Sequence, residues 1–151
     1  MKVAAVQLTS TGNITENQEL ALAKIREAAG NGARLIVLPE ATAQNFRSGR
    51  LDEQAQTLEG PFATAIQALA EELEVTVVAG MFCPADTVER EGKTINRVTN
   101  TALIAGPGVL GGYDKIHTYD AFDYRESDTV FAGESLVAFD VDDLIAVSYT
   151  H

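Results

Sequence analysis

The chain has 151 residues, with 22 acidic side chains and 11 basic ones, and therefore a formal charge of −11. This length and an apolar content of 46% are typical of one globular domain with a buried core, and they exclude a disordered or fibrous chain. The acidic excess repels phosphates and anionic lipid head groups, and the basic residues are scattered singly, so neither nucleic-acid binding nor membrane-surface binding is expected.

The sequence predicts no membrane-spanning segment. The apolar run Val77–Cys83, like every other run without a polar side chain, is far shorter than the roughly 20 apolar residues of a membrane helix. The opening residues are too polar for a secretory signal, and Cys83, the single cysteine, has no partner for a disulfide. We therefore expect a reducing, cytoplasmic location.

The first half of the chain alternates short apolar runs with segments of helical periodicity. The predicted elements are a strand at Lys2–Leu8, a helix that begins near Asn13 or Thr15 and stops at Gly30, a strand at Leu35–Leu38 closed by Pro39, a helix from Pro61, and a strand at Val75–Met81. Residues 41–60 are polar and irregular. This order favours parallel strands covered by helices.

The second half is predicted to contain strands and loops. The predicted elements are an antiparallel hairpin of Thr101–Ala105 and Val109–Tyr113 around Gly106-Pro107-Gly108, a polar loop at 114–128, and a further hairpin of Leu136–Val141 and Leu144–Val147. The fold class is therefore α/β in one unit, with no internal repeat or interdomain linker.

Glu40 is a candidate general base, because it follows directly on the apolar run Leu35–Leu38 and Pro39. Open α/β sheets place their ligands at the carboxyl ends of parallel strands. Partial burial there would raise the pKa of a carboxylate towards that of a useful base. Taken alone, the position is more typical of a solvated residue at a strand end.

Lys115 and Glu126 are two further candidates in the predicted polar loop. Lys115, within Tyr113-Asp114-Lys115-Ile116-His117, could stabilise a developing oxyanion, and Glu126 could anchor its ammonium group. Considered singly, Lys115 is more typical of a surface lysine and Glu126 of an exposed loop glutamate.

Three other patterns have simpler interpretations. Residues 106–111 have the letters of a dinucleotide-binding glycine motif, but no helix is predicted to follow and hold a pyrophosphate. A solvated acidic loop explains Asp114, His117, Asp120 and Asp123 better than a metal site does, because a lysine lies among them. Cys83 follows an apolar run without a neighbouring cation, which favours a buried, inert thiol.

Taken together, the segments resemble the N-terminal half of the nitrilase, or carbon–nitrogen hydrolase, superfamily. The segments that carry the resemblance, in family order, are Val3–Leu8, Leu35–Ala41 with the catalytic-glutamate motif, Tyr113–His117 with the catalytic-lysine motif, and Arg125–Ser127 followed by Phe131–Gly133 with the supporting glutamate. The resemblance implies the N-terminal part of a four-layer αββα sandwich.

The resemblance also implies a mechanism. A cysteine thiolate attacks an amide or nitrile carbon, Glu40 accepts the thiol proton and later activates water, Lys115 faces the oxyanion, and Glu126 orients Lys115. It implies no metal and no organic cofactor, a small-molecule amide or nitrile substrate, and a homo-oligomer for a full-length member. Amide, nitrile and carbamoyl substrates all stay open.

The nucleophile of the family is missing from its expected place. Ala146 is followed by Val147-Ser148-Tyr149-Thr150-His151, and His151 stands about where the family has its cysteine. We therefore assign residues 1–146 to the N-terminal part of the hydrolase domain and residues 147–151 to a tail that departs from the family pattern. Cys83 cannot replace the family cysteine, because we expect it to lie on a different strand from that nucleophile.

Two functions are consistent with these observations. The first is a carbon–nitrogen hydrolase whose chain is catalytically incomplete as it stands. The second is an inactive fragment or interaction module that pairs with another chain. A nucleotide-binding domain is a distant third.

Overall fold

A mixed sheet forms the centre of the molecule. We describe a computed structural model of the chain, which covers residues 1–122 and 124–148. In chain order the elements are β1 (Val3–Ala5), α1 (Ile14–Gly30), β2 (Leu35–Val37), a 3-10 turn (Leu51–Glu53), α2 (Pro61–Glu72), β3 (Thr76–Arg90), β4 (Lys93–Gly106), β5 (Val109–Asp114), β6 (Asp120–Ala121), β7 (Tyr124–Arg125), a 3-10 turn (Glu126–Asp128), β8 (Val130–Phe131), β9 (Val137–Val141) and β10 (Leu144–Ser148).

The sheet changes from parallel to antiparallel pairing at β3. Strands β1, β2 and β3 pair in parallel in that order, whereas β4 is antiparallel to both β3 and β5. The short β8 pairs in parallel with β4. Strands β9 and β10 form a separate antiparallel hairpin, as do β6 and β7. Consequently β1, β2, β3 and β5 all run in the same direction.

Both helices begin as the sequence predicts. The side chain of Asn13 accepts hydrogen bonds from the backbone N–H groups of Thr15 and Glu16 at 3.0 and 3.3 Å, which caps α1. Pro61 occupies the first turn of α2, where a missing N–H costs nothing. Within the described residues, neither helix is long and apolar enough to cross a membrane.

The main core lies between the helices and one face of the sheet. Ile25 of α1 and Phe62 and Ile66 of α2 are fully buried there. They pack in one cluster with residues such as Val77 and Leu103 of β3 and β4. Because side chains alternate along a strand, neighbours such as Val78 point to the opposite face, which the helices do not cover.

Several predicted boundaries are wrong. The first strand covers only Val3–Ala5 of the predicted Lys2–Leu8, and β4 begins at Lys93 and not at Thr101. The third strand does not stop at Met81 but continues to Arg90 and turns into β4, with an irregularity between Pro84 and Thr87 that accommodates the proline. This extension is mostly exposed and polar, so it lacks the apolar run that marks a buried strand. The predicted loop at 114–128 contains β6, β7 and a 3-10 turn. The two predicted C-terminal hairpins are confirmed.

Candidate active site

The sheet brings Glu40 and Lys115 to the same edge. Glu40 follows β2 and Lys115 follows β5, and these strands run in the same direction. The backbone N–H of Lys115 donates to the carbonyl oxygen of Asn100 at 2.8 Å, which extends the ladder between β5 and β4 by one residue. The two candidates therefore meet at the carboxyl ends of their strands.

Lys115 is placed between two carboxylates. Its Nζ lies 3.0 Å from Oε1 of Glu40, and 3.3 and 3.1 Å from Oε1 and Oε2 of Glu126. The side chain of Lys115 is 19% exposed, that of Glu126 is 3% exposed and that of Glu40 is 53% exposed. One carboxylate is therefore buried behind the lysine, and the other faces solvent.

Glu126 is held in place by the backbone of Tyr119. The N–H of Tyr119 donates to Oε2 of Glu126 at 2.6 Å, and the N–H of Glu126 donates to the carbonyl oxygen of Tyr119 at 3.1 Å. The single-residue interpretation of Glu126 as an exposed loop residue is wrong, because this loop folds its side chain inward. A buried carboxylate that accepts such hydrogen bonds is a rigid anchor for a cation.

Asn100 of β4 is a site residue that the sequence analysis missed. It is 3% exposed, and its Nδ2 donates to Oε1 of Glu40 at 2.7 Å and to Oε1 of Glu126 at 3.3 Å. The amide thus supplies a neutral donor to both carboxylates. The only sequence feature that could have indicated Asn100 is its position as a polar residue shortly before the apolar run that begins at Ala102.

The electrostatics of the cluster favour a charged lysine. Partial burial acts to lower the pKa of Lys115, but the hydrogen bonds to Glu40 and Glu126 and the charges of these groups outweigh it, so the pKa lies above its ordinary value. Lys115 is therefore a permanent cation at neutral pH.

The backbone of Glu40 lies directly against Gly80 of β3. The N–H of Gly80 donates to the carbonyl oxygen of Pro39 at 3.1 Å, and the N–H of Ala43 donates to the carbonyl oxygen of Gly80 at 3.0 Å. A Cβ atom at Gly80 would lie 1.4 Å from the carbonyl oxygen of Glu40. Only glycine allows this approach, which fixes where the Glu40 side chain starts.

Two cavities open beside the cluster. The larger, of about 520 Å³, is lined by Phe46, Arg47 and Phe122 as well as by Glu40, Lys115 and Glu126. The second, of about 390 Å³, lies on the sheet face that the helices leave uncovered, and Glu40 and Lys115 line it too. Both volumes are in the range of small-molecule sites.

Cys83 lines neither cavity. It is half-buried on β3, and this burial raises the pKa of its thiol, opposed by a hydrogen bond with Thr101. A raised pKa disfavours the thiolate, so the interpretation of Cys83 as an unreactive thiol agrees with its surroundings. His151, the residue at which the resemblance leads us to expect the family cysteine, lies outside the described residues.

The remaining patterns have local explanations. The turn at Gly106-Pro107-Gly108 leads into β5 and not into a helix. Asp114 accepts a hydrogen bond from Thr101 at 2.6 Å, and Asp120 accepts from Ser127 at 2.7 Å. No group of three or more potential metal ligands occurs within 1–122 and 124–148; Asp123 lies outside these residues.

Comparisons with known proteins identify relatives along almost the whole chain. The sequence model of the carbon–nitrogen hydrolase family matches residues 2–149. A hydrolase from Mycobacterium tuberculosis is 40% identical over 147 residues, covering 94% of this chain and 49% of that protein. A deaminated glutathione amidase from Synechocystis is 36% identical over 137 residues, covering 87% of this chain and 49% of the relative.

A solved structure shares the fold. The protein XC1258 from Xanthomonas campestris, described as a CN-hydrolase superfamily protein with an arsenic adduct in its active site, superposes with a TM-score of 0.76 at 23% identity. The superposition covers 95% of this chain and 50% of that one. The chain thus spans about half the length of the curated relatives and of this structure. The proposed division at residue 146 stays a prediction.

Proposed function

Because the chain belongs to the carbon–nitrogen hydrolase family, we propose that it carries the acid–base half of an amidase site. The observation that supports this most directly is the position of Lys115 Nζ between Glu40 and Glu126, at the wall of a cavity large enough for a small substrate. A base, a fixed cation and a buried anchor are the groups that acyl transfer requires beside its nucleophile.

The proposed reaction uses a cysteine thiol as nucleophile. Glu40 accepts the thiol proton, the sulfur attacks the amide carbon, and the ammonium group of Lys115 donates to the oxygen that becomes negative. The C–N bond then breaks, the proton on Glu40 passes to the leaving nitrogen, and ammonia departs from a thioester. Glu40 next takes a proton from water, which attacks the thioester and releases the acid and the thiol.

The roles that we propose for the two glutamates follow from the difference in solvent exposure of their side chains. Glu40 is the carboxylate that reaches solvent and the cavity, so it can exchange protons with a substrate. Glu126 is buried and receives a backbone N–H, so it positions Lys115 and does not exchange protons. The cysteine must come from a part of the site that the described residues do not supply, because Cys83 lines neither cavity.

A chimera tests this proposal. Residues 1–146 are joined to the second half of the 40% identical mycobacterial hydrolase, and ammonia release from simple primary amides is measured. We expect the chimera to be active and the 151-residue chain alone to be inactive. Ammonia release by the chain alone would contradict the need for an external nucleophile.

Substitutions in the chimera assign the individual roles. Lys115→Ala should lower turnover by roughly 10²-fold or more, the scale for loss of one oxyanion donor. Glu40→Gln should be at least as damaging, because both half-reactions lose their base. His117→Ala is the control and should leave turnover mostly intact, because His117 lines neither cavity. Near-normal turnover in either of the first two variants would contradict the assigned roles.

A second function is an interaction module that pairs with another chain. The exposed apolar side chains of β10, Ile145 at 73% and Val147 at 52%, favour it. The mass of the natural gene product discriminates the two: a species near 16.1 kDa supports the module, and one about twice as heavy supports the hydrolase.

A further inference from the structure

Two buried threonines and an aspartate form a chain of hydrogen bonds beside the candidate site. Thr101 of β4 is 2% exposed, and its Oγ1 donates to Oδ1 of Asp114 at 2.6 Å. Thr101 has a single hydroxyl proton, so the 2.7 Å contact between its Oγ1 and Oγ1 of Thr99 takes its proton from Thr99. None of these groups has a part in the proposed reaction, although Asp114 directly precedes Lys115.

This chain of hydrogen bonds decides the face of the sheet on which Lys115 lies. Thr101 is the pairing partner of Asp114 on β5 and of Met81 on β3, and Met81 packs in the main core. Pairing partners share a face of the sheet, so the side chain of Asp114 points to the face that the helices cover. Because successive side chains alternate, that of Lys115 points to the other face, where Asn100 contacts the two carboxylates of the site.

The register of β5 needs such a bond, because the other side chains of this strand specify it weakly. A slip by one residue moves every side chain of a strand to the opposite face, and glycine-rich strands resist it least. Gly111 and Gly112 have no side chains, and of the six residues of β5, all of them described by the structure, only Tyr113 is buried. The turn before β5 fixes the pairing at the start of the strand, and the bond to Asp114 fixes it at the end.

A second contact holds the end of β5 from its other edge. The backbone N–H of Gly133, which follows β8, donates to the carbonyl oxygen of Lys115 at 2.9 Å. A Cβ atom at Gly133 would lie 2.2 Å from the carbonyl oxygen of Asp114, so only glycine allows this approach. The backbone of Lys115 is therefore bonded to β4 on one edge and to the segment after β8 on the other.

We propose that Thr101 and Asp114 are positioning residues for Lys115. Their hydrogen bond on the helix-covered face fixes the end of β5, so that the ammonium group emerges on the opposite face between Glu40 and Glu126. The geometric part of this inference concerns the folded chain alone. Its consequence for catalysis rests on the proposed function, in which Lys115 stabilises the oxyanion.

Removal of the Thr101 hydroxyl group tests the inference on this chain. Thr101→Val keeps the shape of the side chain but cannot donate to Asp114, whereas Thr101→Ser keeps the donor. The readout is the pKa of Lys115, measured by NMR with isotope-labelled lysine and assigned by comparison with Lys115→Gln. Hydrogen bonds to Glu40 and Glu126 raise this pKa, so it should fall towards its ordinary value in Thr101→Val and stay raised in Thr101→Ser.

Two controls separate positioning from a general loss of stability. Thr94→Val removes a hydroxyl group that donates to Oε1 of Glu89, also at 2.6 Å and also across a strand pair, on the exposed extension of β3 and β4. Ile66→Val weakens the buried core at α2 by removing one methylene group. Both variants should leave the pKa of Lys115 unchanged. If Thr101→Val does not fold, Thr101→Ala removes the same donor without a new methyl group against Asp114 and gives the same readout.

The chimera measures the consequence for catalysis. Thr101→Val should lower kcat about 10-fold with little change in KM, because a displaced lysine loses part of the roughly 10²-fold effect of an oxyanion donor. Thr101→Ser should restore kcat. An unchanged kcat in Thr101→Val would overturn the catalytic part of the inference.

The pKa of Lys115 decides the geometric part without reference to activity. A value that is unchanged in Thr101→Val, or that falls equally in Ile66→Val, would overturn the inference. A chimera without substitutions that releases no ammonia would reject the proposed function, and the pKa of Lys115 in this chain would still decide whether Thr101 and Asp114 position the lysine.

Discussion

Two carboxylates share one lysine and one amide in the centre of the site. Glu40 and Glu126 would repel each other if Lys115 and Asn100 did not donate to both. An amide at position 100 adds donors without adding charge, so the lysine keeps a net negative environment that favours its protonated form. We infer that Asn100 positions the two acids while Lys115 neutralises them.

Substitution of Asn100 should therefore damage the site in a graded way. Asn100→Leu keeps the approximate volume but removes the donor, and we expect a loss of about 2 kcal/mol in the free energy of unfolding. Asn100→Asp places a third carboxylate beside the other two and should be worse.

The matched control for Asn100 is Asn96 on the same strand. Asn96 is exposed, and its Nδ2 donates to Oδ2 of Asp52 at 3.3 Å, away from the site. Asn96→Leu should change the free energy of unfolding by no more than about 0.5 kcal/mol. If urea unfolding shows the same loss for both asparagines, the positioning role of Asn100 is wrong.

The cluster should also produce a defined pH dependence. The pKa of Lys115 is raised on folding, so its contribution to stability is fully present below the ordinary lysine pKa of about 10.4 and is lost as the pH rises through the folded value. The difference in unfolding free energy between the unsubstituted chain and Lys115→Gln should therefore be constant near neutral pH and should shrink above about pH 10.5. Urea unfolding at several pH values measures it, and a difference that grows with alkaline pH would contradict the assigned ion pairs.

At the scale of the elements, the contact between the β2 end and β3 sets the site. Gly80→Ala cannot be accommodated without moving the backbone of Glu40, because the new methyl group would overlap its carbonyl oxygen. We expect a loss of about 3 kcal/mol or more in the free energy of unfolding and a displaced Glu40 side chain. Gly111→Ala on β5 is the control, since a Cβ there meets nothing within 4 Å.

A thermal melt combined with the NMR chemical shifts of the Glu40 side chain checks this prediction. Gly111→Ala should unfold close to the temperature of the unsubstituted chain, and Gly80→Ala should unfold well below it. Equal melting temperatures for the two variants would show that the close approach at Gly80 does not constrain Glu40.

The elements that the sequence predicts well are those with a strong local signal. Asn13 and Pro61 mark the helix starts through capping and the fixed backbone angle of proline, and the glycine-containing turn before Val109 marks the hairpin of β4 and β5. Glu40 and Lys115 are candidates from the sequence because each follows a predicted strand, and the structure places both after strands. The true end of β3 is not predicted, because its last residues pair with β4 in an exposed extension and therefore lack the apolar pattern that marks a buried strand.

The remaining site features depend on contacts between distant parts of the chain. Asn100 is not recognised from the sequence, because strand alternation predicts only the face of the sheet on which its side chain lies. It does not predict that two carboxylates from distant parts of the chain lie next to that side chain. The burial of Glu126 depends on a backbone N–H seven residues away, in an irregular segment where no periodicity predicts the direction of a side chain.

At the scale of the whole molecule, apolar surface remains uncovered. Leu144, Ile145 and Val147 of β10 are 54%, 73% and 52% exposed, and β10 pairs only with β9 within the described residues. An exposed, apolar strand with a free edge is a template for association. We therefore expect the 151-residue chain to self-associate or aggregate at moderate concentration.

Sedimentation velocity measures this expectation. The unsubstituted chain should sediment as species heavier than 16.1 kDa, and the double variant Ile145→Glu and Val147→Glu should shift the distribution towards the monomer. The control Thr15→Glu and Thr94→Glu adds the same charge at exposed polar positions and should not. A single monomeric species from the unsubstituted chain would contradict the prediction.

The separation along the chain of the groups that meet at the site also constrains how the molecule folds. Glu40 reaches Asn100 across 60 positions and Lys115 across 75, whereas β3 and β4 are joined by a tight turn and can pair early. Closing such long loops costs conformational entropy, and only the contacts of a nearly complete sheet offset this cost. We therefore expect the cluster to be among the last parts of the molecule to form during refolding. A chain that has not finished its sheet therefore has no assembled Glu40–Lys115–Glu126 cluster, and any binding to these groups must wait until the sheet is complete.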